Sequence, residues 1–233
     1  MVRVVIHSNP HLANQMESSG WLREGFAKHG IDAEVTPDRG KPADVHVVQG
    51  PHYAYREWLG KENVLFLNRC YMGHARWDVS IGWLQADGTR DFRWQDTPRG
   101  SRPELRPMKP EKRHADQCAV VFGDHGRDNA PMMQSARNKY GRAYYRPHPA
   151  TRDDIKALAP DWTLDQIWDI ADVAVGHSST VLIDAAINGL HVDCHDPLSV
   201  AHFTDREQRI NQLTWADWNF AEVQRGDFWE HLC

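Results

Sequence analysis

The chain of 233 residues is long enough to bury a substantial core, as one large domain or as two small ones. Its 41% hydrophobic and 25% charged residues are typical of a globular protein, and no apolar run reaches the length of a membrane span. The start lacks a signal-peptide pattern and the four cysteines form no CxxC pair, which favours a reducing, cytoplasmic location.

The first part of the sequence alternates strand and helix patterns. The predicted strands are Val2–His7, Ile31–Thr36, Val45–Gln49 and Val64–Leu67. The predicted helices are Met16–His29, which ends at Gly30, and the shorter Tyr53–Leu59. Such alternation predicts a parallel, doubly wound sheet. The run Asp78–Leu84 is predicted as an antiparallel addition before the turn Ala86-Asp87-Gly88.

The segment Thr89–His114 interrupts this pattern. It holds four prolines, eight basic residues and four acidic residues, which gives a local charge of +4 on a chain of net charge −5. The prolines predict a connection between domains or a long functional loop. The charge favours a local contact with a polyanion, and a solvated linker is the alternative.

The second part returns to alternating strands and helices. The predicted strands are Ala119–Phe122, Arg142–Tyr145, Val173–Val175 and His191–Cys194. The predicted helices are Met132–Tyr140, Leu164–Ile170 and Thr180–Asn188, which Gly189 closes. The tail Asp205–Leu232 is interpreted as two amphipathic helices whose tryptophans pack on the core. The predicted domains are residues 1–88, the connection 89–114, a second half 115–204 and a tail 205–233 that packs back on the core.

Two short motifs follow strands in the second part. They are Arg146-Pro147-His148-Pro149 and Gly176-His177-Ser178-Ser179-Thr180, and the second opens a helix. The N–H groups and the dipole of a helix start attract an anion, and a His-Pro turn can supply a rigid imidazole. The motifs therefore predict a nucleotide phosphate at the carboxyl edge of a parallel sheet. Ordinary helix capping and an ordinary turn are the alternatives.

The order of these motifs resembles the donor-binding half of GT-B glycosyltransferases, with capsule-type Kdo transferases and bacterial sialyl- and polysialyltransferases as the nearest patterns. The resemblance rests on His148-Pro149, on Ser178-Ser179-Thr180 and on the following Ile183–Gly189. The loop Phe122–Asp128 resembles the glycine-containing loop that opens this half in the capsule enzymes. Arg209–Trp218 and Asn68–Gly73 resemble small glycosyltransferase-like proteins of tailed bacteriophages.

The resemblance implies a compact GT-B-like α/β fold, with two Rossmann-like halves facing a cleft and the acceptor on the N-terminal side. It also implies a metal-independent enzyme without a cofactor, whose donor substrate is a UDP-, CMP- or CDP-linked sugar. The predicted donor-binding residues are Gly123, His125, Gly126, Arg146, His148, Pro149, His177, Ser178, Ser179, Thr180 and Asp184. The predicted acceptor-binding residues are Arg69, Tyr71, Arg90, Arg93, Trp94, Arg99 and Arg102.

A glycosyl transfer with inversion needs a base for the acceptor hydroxyl. His11 and Glu17 are the first candidates, because the loop after the first strand is expected to face the ligand, and Asp124 is a further candidate. A zinc site around His191, His195 and His202 is disfavoured, because no HExxH or CxxC spacing is present.

The preferred hypothesis is a phage-type glycosyltransferase that modifies a hydroxymethylated pyrimidine in duplex DNA, acting in the host cytoplasm and away from any membrane. The alternative acceptor is a surface glycan, with a CMP- or CDP-activated donor. A hypothesis of another class is a non-catalytic nucleotide- or DNA-binding module. An epimerase-like enzyme is disfavoured, because no GxGxxG follows the first strand.

Overall fold

The computed structural model describes residues 2–50, 56–69, 79–99, 108–112, 117–124, 126–149 and 162–233. The chain forms two compact units: unit 1 comprises Met1–Gly100 and Asn211–Cys233, and unit 2 comprises Ser101–Ile210. The chain therefore leaves unit 1, builds unit 2 and returns. The first boundary falls within the segment 89–114 and the second within the tail 205–233.

The strands and helices follow each other in the order expected for an α/β protein. The strands are β1 Val4–His7, β2 Ala33–Thr36, β3 Val45–Gln49, β4 Val64–Arg69, β5 Val79–Leu84, β6 Arg90–Asp91, β7 Cys118–Phe122, β8 Arg142–Arg146, β9 Val173–Gly176, β10 His191–Cys194 and β11 Asp217–Trp218. The helices are α1 Ala13–Lys28, α2 Ala130–Tyr140, α3 Leu164–Ile170, α4 Val181–Ile187, α5 Arg206–Leu213, α6 Phe220–Arg225 and α7 Asp227–Leu232.

The sheet of unit 1 has the strand order β11-β5-β4-β3-β1-β2, with β6 also paired to β5. Strands β2, β1, β3 and β4 are parallel, whereas β5 is antiparallel to β4, β6 and β11. The predicted antiparallel addition is therefore confirmed. Because β2 and β3 lie on opposite sides of β1, the strand order reverses between β1 and β3, and such a switch point is where open α/β sheets bind ligands.

The core of unit 1 lies on both faces of this sheet. On one face, α1 packs with α6 and α7, and the rings of Phe26 and Phe228 meet edge to face at 5.2 Å. Gly25 allows α1 to approach α6 closely, since a Cβ at this position would lie 2.1 Å from the carbonyl oxygen of Val223. On the other face, the buried Trp58 packs with the apolar side chains Val48, Val64, Phe66 and Leu84.

The tail differs from the two helices predicted from the sequence. It contains α5, the two-residue strand β11, α6 and α7. Gly226, with a φ of +83°, ends α6 and turns the chain into α7. The left-handed backbone conformation favours glycine and cannot continue an α-helix, which explains the break.

Unit 2 has a fully parallel sheet with the strand order β10-β9-β7-β8. Its strand order reverses between β7 and β9, which defines a second switch point. The buried Val121, Val175 and Tyr145 form its core with side chains of α2. Lys112 closes the end of α3 by donating to the carbonyl oxygens of Trp168, Asp169 and Ala171.

These units agree with the α/β fold class predicted from the sequence. The predicted helix Tyr53–Leu59 falls partly outside the described residues, and residues 56–58 form one 3-10 turn. Helix α1 begins at Ala13, three residues before the predicted Met16. Across the described part of the chain, no helix has the length and apolarity that a membrane crossing requires.

Candidate functional site

The switch point of unit 2 brings together the residues that follow β7 and β9. Asp124 lies two residues after β7, and His177 and Ser178 directly follow β9. The Ser178 hydroxyl donates to Asp124 Oδ2 at 3.5 Å, the outer limit of a hydrogen bond. His177 Nδ1 lies 3.9 Å from the same oxygen. Two segments that are 54 residues apart in sequence thus share one polar cluster, because β7 and β9 are neighbours.

A second carboxylate lies beside the same imidazole. Asp196, after β10, places its Oδ2 3.6 Å from His177 Nδ1. This nitrogen is buried and makes no hydrogen bond within the described residues. A carboxylate only accepts hydrogen bonds, so two of them beside Nδ1 favour the tautomer that carries its proton there. The other ring nitrogen, Nε2, is then the atom that can meet a ligand.

The backbone of His177 is tied to β10 as well. Its carbonyl oxygen accepts from Cys194 Sγ at 2.9 Å and from the amide of Asp196 at 3.2 Å. Burial raises the pKa of the Cys194 thiol, which keeps it a neutral donor. The position of His177 is therefore set by the strand next to its own.

The loop after β7 is fixed by a buried asparagine. Asn129, 2% exposed, accepts from the amide of Asp124 at 3.0 Å and donates to the Asp124 carbonyl oxygen at 3.2 Å. The half-exposed Arg127 has its Nε 3.8 Å from Asp124 Oδ2. The Asp124 carboxylate thus lies between a guanidinium and an imidazole.

The His-Pro turn lies at the same edge of the sheet, at the end of β8. The amide of Gly123 donates to the carbonyl oxygen of Arg146 at 2.9 Å. A Cβ on Gly123 would lie 2.3 Å from the Tyr145 hydroxyl and 3.3 Å from the amide of His148. Position 123 therefore requires glycine, because the loop after β7 contacts the end of β8 and the loop that follows it there. The Arg146 guanidinium donates to the carbonyl oxygen of Trp162, and one such contact does not exhaust its five N–H donors.

The hydroxyl motif precedes α4, which begins at Val181, one residue after the predicted Thr180. Thr180 is the N-cap residue, and its exposed side chain makes no capping hydrogen bond. Asp184 is half-buried in the first turn. Gly126, at a φ of +72°, and Pro149 are exposed, and His125 lies outside the described residues.

Arg99, predicted to bind the acceptor, contacts the C-terminal part of unit 1. Its guanidinium lies 3.8 Å from the centre of the Trp218 ring and 3.3 Å from the Glu222 carboxylate. It also donates to the carbonyl oxygens of Thr214, at 3.0 Å, and Asp217, at 2.6 Å. These contacts tie the Arg99 side chain to residues 214–222, the segment in which the chain returns to unit 1.

The other predicted acceptor residues lie around β4 to β6 or outside the described part. The Arg90 guanidinium is 5.6 Å from the Phe66 ring and 5.5 Å from the Phe92 ring, and Trp94 meets Phe92 edge to face at 5.4 Å. Arg93 is exposed beside Asp91, at 3.3 Å. Arg69 ends β4, and Tyr71 and Arg102 lie outside the described residues.

The switch point of unit 1 carries a pocket of about 550 Å³, here called the unit 1 pocket. It is lined by His7, Ser8, Asn9, Pro10, His11, Leu12, Gln15, Pro37, Arg39, Val48 and Gln49. His11 is thus one of the residues that line this concave site. Glu17 is exposed on α1 and is not among the lining residues.

A group of three rings supports the floor of this pocket. His7 Nε2 and His46 Nδ1 form a hydrogen bond of 2.9 Å, and the Trp58 ring lies 4.7 Å from the His7 ring. Burial lowers the pKa of His7 to about 4; His46 and the charges of Arg39 and Lys61 add to this, and a backbone contact with Asp38 opposes it. His7 is therefore neutral at physiological pH.

Sequence reasoning did not place Arg127, Asn129 or Asp196 in the site. The available signal was that Asp196 follows a predicted strand, so its loop lies at the same edge of the sheet as the other motifs. Within the described residues, no group of three or more His, Cys, Asp or Glu side chains is arranged to hold a metal ion.

The fold is similar to that of two solved transferases from Thermosulfurimonas dismutans. The structure of KpsC, beta Kdo 2,7 transferase, has a TM-score of 0.57 at 13% identity, over 97% of this chain and 98% of that chain. The structure of KpsC, beta Kdo 2,4 transferase, has a TM-score of 0.50 at 12% identity, over 92% and 90% of the two chains. No family model and no curated protein matches the sequence. The GT-B-like fold and its likeness to Kdo transferases, both predicted from the sequence, are confirmed at the level of fold.

Proposed function

We propose that the protein is a nucleotide-sugar-dependent glycosyltransferase whose donor phosphate binds in the cluster of His177 and Ser178, beside Asp124. The observation that carries the proposal is the position of this cluster, at the switch point of a parallel sheet in a GT-B-like fold. Hydroxyl, imidazole and guanidinium groups from the loops after β7 and β9 lie there, and such donors are what a diphosphate or monophosphate needs.

In this proposal the side chains have different roles. Ser178, Ser179, Arg146 and His148 bind the phosphate of the donor, and His177 presents Nε2 to it. Electrostatic stabilisation of the leaving phosphate by these donors supplies much of the rate enhancement. Asp124 accepts the proton of the acceptor hydroxyl. No step requires a metal ion, so we expect transfer to persist in EDTA.

We further propose a glycan hydroxyl as the acceptor and a CMP- or CDP-linked sugar as the donor. Both similar solved structures are named as Kdo transferases, which favours sugar chemistry. The DNA hypothesis depended on the basic segment, and Arg99 from that segment is bound within unit 1. Modification of hydroxymethylated DNA is therefore an outcome to be tested against the glycan.

The test is a thermal-shift screen with CMP, CDP, UDP, GDP and dTDP and their sugars, followed by transfer assays on glycan and hydroxymethylated DNA acceptors. We expect Ser178→Ala to weaken nucleotide binding about tenfold, the effect of one hydrogen bond to a charged group. Asp124→Asn should retain binding and lower transfer by about a hundredfold or more. Ser135→Ala, exposed on α2, is the control and should match the wild type.

Stabilisation by none of these nucleotides would contradict the proposal. Nucleotide binding without transfer to any acceptor would instead favour the non-catalytic module. Nucleoside mass spectrometry that finds a sugar on hydroxymethylated DNA, and none on glycans, would reverse the preference between the acceptors.

A further inference from the structure

The position of Asp196 relative to His177 is fixed by backbone contacts. The amide of Asp196 donates to the carbonyl oxygen of His177 at 3.2 Å, and the amide of His195 donates to that of Gly176 at 2.9 Å. Asp196 Oδ1 accepts from the amide of Leu198 at 3.0 Å, so the other carboxylate oxygen, Oδ2, is the one that faces His177. The loop after β10 therefore holds this carboxylate beside the imidazole.

Asp196 differs from Asp124 in the groups that surround it. Asp124 Oδ2 lies 3.5 Å from the Ser178 hydroxyl and 3.8 Å from Arg127 Nε, so a guanidinium shares in balancing its charge. Among the described residues, His177 is the only basic side chain within ion-pair distance of Asp196. The charge of Asp196 is therefore directed at His177.

The chemistry of a phosphate sets the protonation state of the imidazole that binds it. Ionised phosphate oxygens only accept hydrogen bonds, so Nε2 of His177 must carry a proton to bind one. Nδ1 is buried although the side chain is 25% exposed, and its neighbours are carboxylate oxygens, which also only accept. Both ring nitrogens therefore need a proton when the phosphate is bound, which makes His177 an imidazolium.

We propose that Asp196 is a positioning residue for the donor phosphate: it accepts the Nδ1 proton of His177 and so holds the imidazolium whose Nε2–H donates to the phosphate. This inference rests on the proposed function and adds the protonation state of the phosphate-binding group. The 3.6 Å between Nδ1 and Asp196 Oδ2 is slightly longer than a hydrogen bond, and a shift to about 2.9 Å closes it in the complex. Donor binding then takes up one proton from solution.

Charged and titratable groups lie around His177 on each neighbouring element. They are Asp124 and Arg127 after β7, Arg146 and His148 at the end of β8, Asp184 in the first turn of α4, and Cys194 and Asp196 on and after β10. The carboxylates favour a protonated imidazole and the guanidinium groups oppose it. Asp196 has no guanidinium beside it among the described residues, so its removal should affect His177 most directly.

The experiment measures proton uptake by isothermal titration of the full-length protein with CMP and CDP, in buffers of different ionisation enthalpy. The wild type should take up about one more proton than His177→Gln, a difference in which protonation of the nucleotide's own phosphate cancels. The affinity of the wild type should fall by up to about tenfold per pH unit as the pH rises.

The variant Asp196→Asn removes the charge of this carboxylate and keeps its shape. At pH 7 it should bind CMP and CDP about tenfold more weakly than the wild type and lose most of the proton uptake. The control is Asp165→Asn, the same replacement at an exposed position on α3, which should match the wild type in both measurements.

Two further measurements show whether Asp196 acts through His177. Asp196→Asn combined with His177→Gln should bind no more weakly than His177→Gln alone. Side-chain nitrogen NMR of His177 gives a readout that needs no nucleotide. At high pH the wild type should carry its proton on Nδ1, whereas Asp196→Asn should show both tautomers, because an amide can accept from Nδ1 or donate to it.

The outcomes separate this inference from the proposed function. Equal affinity and proton uptake in Asp196→Asn and the wild type, or a wild-type proton on Nε2 alone, would overturn the inference and leave the glycosyltransferase proposal standing. Additive losses in the double variant would also overturn it, since Asp196 would then act independently of His177. Binding of neither nucleotide, with the Nδ1 tautomer present, would contradict the proposed function and, with it, the role of this pair in phosphate binding.

Discussion

At the scale of single residues, His177 combines a buried Nδ1 between two carboxylates with a partly exposed ring. Replacing it by glutamine removes the oriented Nε2 that we assign to the donor phosphate. We expect His177→Gln to weaken nucleotide binding by about tenfold, the effect of losing one good hydrogen bond to an anion. Isothermal titration with CMP and CDP measures this directly.

The matched control is His191→Gln, since the His191 side chain is 56% exposed beside Glu111 in the same unit. The affinity of His191→Gln for CMP and CDP should equal that of the wild type. Equal losses in both variants would mean that His177 acts through general destabilisation and not through the ligand.

His7 makes the stability of unit 1 depend on pH. Its pKa is lowered from 6.5 to about 4, chiefly by burial, so the unfolded chain binds more protons than the folded chain between these values. Stability therefore falls as the pH drops from about 6.5 towards 4, by up to about 3 kcal/mol from this residue. The variant His7→Phe keeps a ring against Trp58 but cannot titrate.

Urea unfolding at pH 7 and pH 5 tests this prediction. The loss of unfolding free energy on acidification should be smaller in His7→Phe than in the wild type. The same loss in both proteins would show that other groups cause the acid sensitivity.

At the scale of elements, the Arg99 side chain joins the basic segment Thr89–His114 to β11 and α6. Arg99 and Glu222 are 16% and 18% exposed, and Glu222 also completes the capping box of α6 with Asn219. Removal of one partner leaves the other charge poorly solvated. We expect Arg99→Ala to lower the unfolding free energy by about 2–4 kcal/mol. Arg93→Ala, whose side chain is 59% exposed, should change it by less than about 0.5 kcal/mol.

The same two variants, Arg99→Ala and Arg93→Ala, distinguish a structural role of Arg99 from a role in acceptor binding. If Arg99 contacts the acceptor, Arg99→Ala should lose acceptor affinity at temperatures where it remains folded. A stability loss with unchanged acceptor affinity would remove Arg99 from the acceptor site.

The contact between α1 and α6 depends on Gly25. A Cβ at this position would lie 2.1 Å from the Val223 carbonyl oxygen and 3.0 Å from the Phe228 ring, so the helices would have to separate. We expect Gly25→Ala to lower stability by about 1–3 kcal/mol although alanine favours helices. Gly20→Ala, with open space at its Cβ in the same helix, should be neutral or stabilising in the same denaturant series.

At the scale of the whole molecule, the structural features that could be predicted from the sequence are those that depend on the local pattern of residues. The buried strands were readable because β1, β3, β7 and β9 are nearly continuous apolar runs, as expected for parallel strands covered on both faces. The two-residue strand β11 was not readable, because it exists only through pairing with β5, far away in sequence. The contact between His177 and Asp196 likewise requires that β10 lies beside β9, which spacing alone does not reveal.

The return of the chain into unit 1 leads to the last prediction. Residues 211–233 contribute the buried Trp218, Val223, Phe228 and Leu232 to the core around Phe26 and Ile81. Deleting this segment exposes that apolar face and removes the partner of Arg99, so we expect unit 1 to lose its cooperative fold. Unit 2 has its own core, built from β7, β8, β9 and α2. In hydrogen exchange, the amides of β1, β3 and β4 should lose protection while those of β7 and β9 keep it. Loss of protection in both units together would show that they fold as one cooperative body.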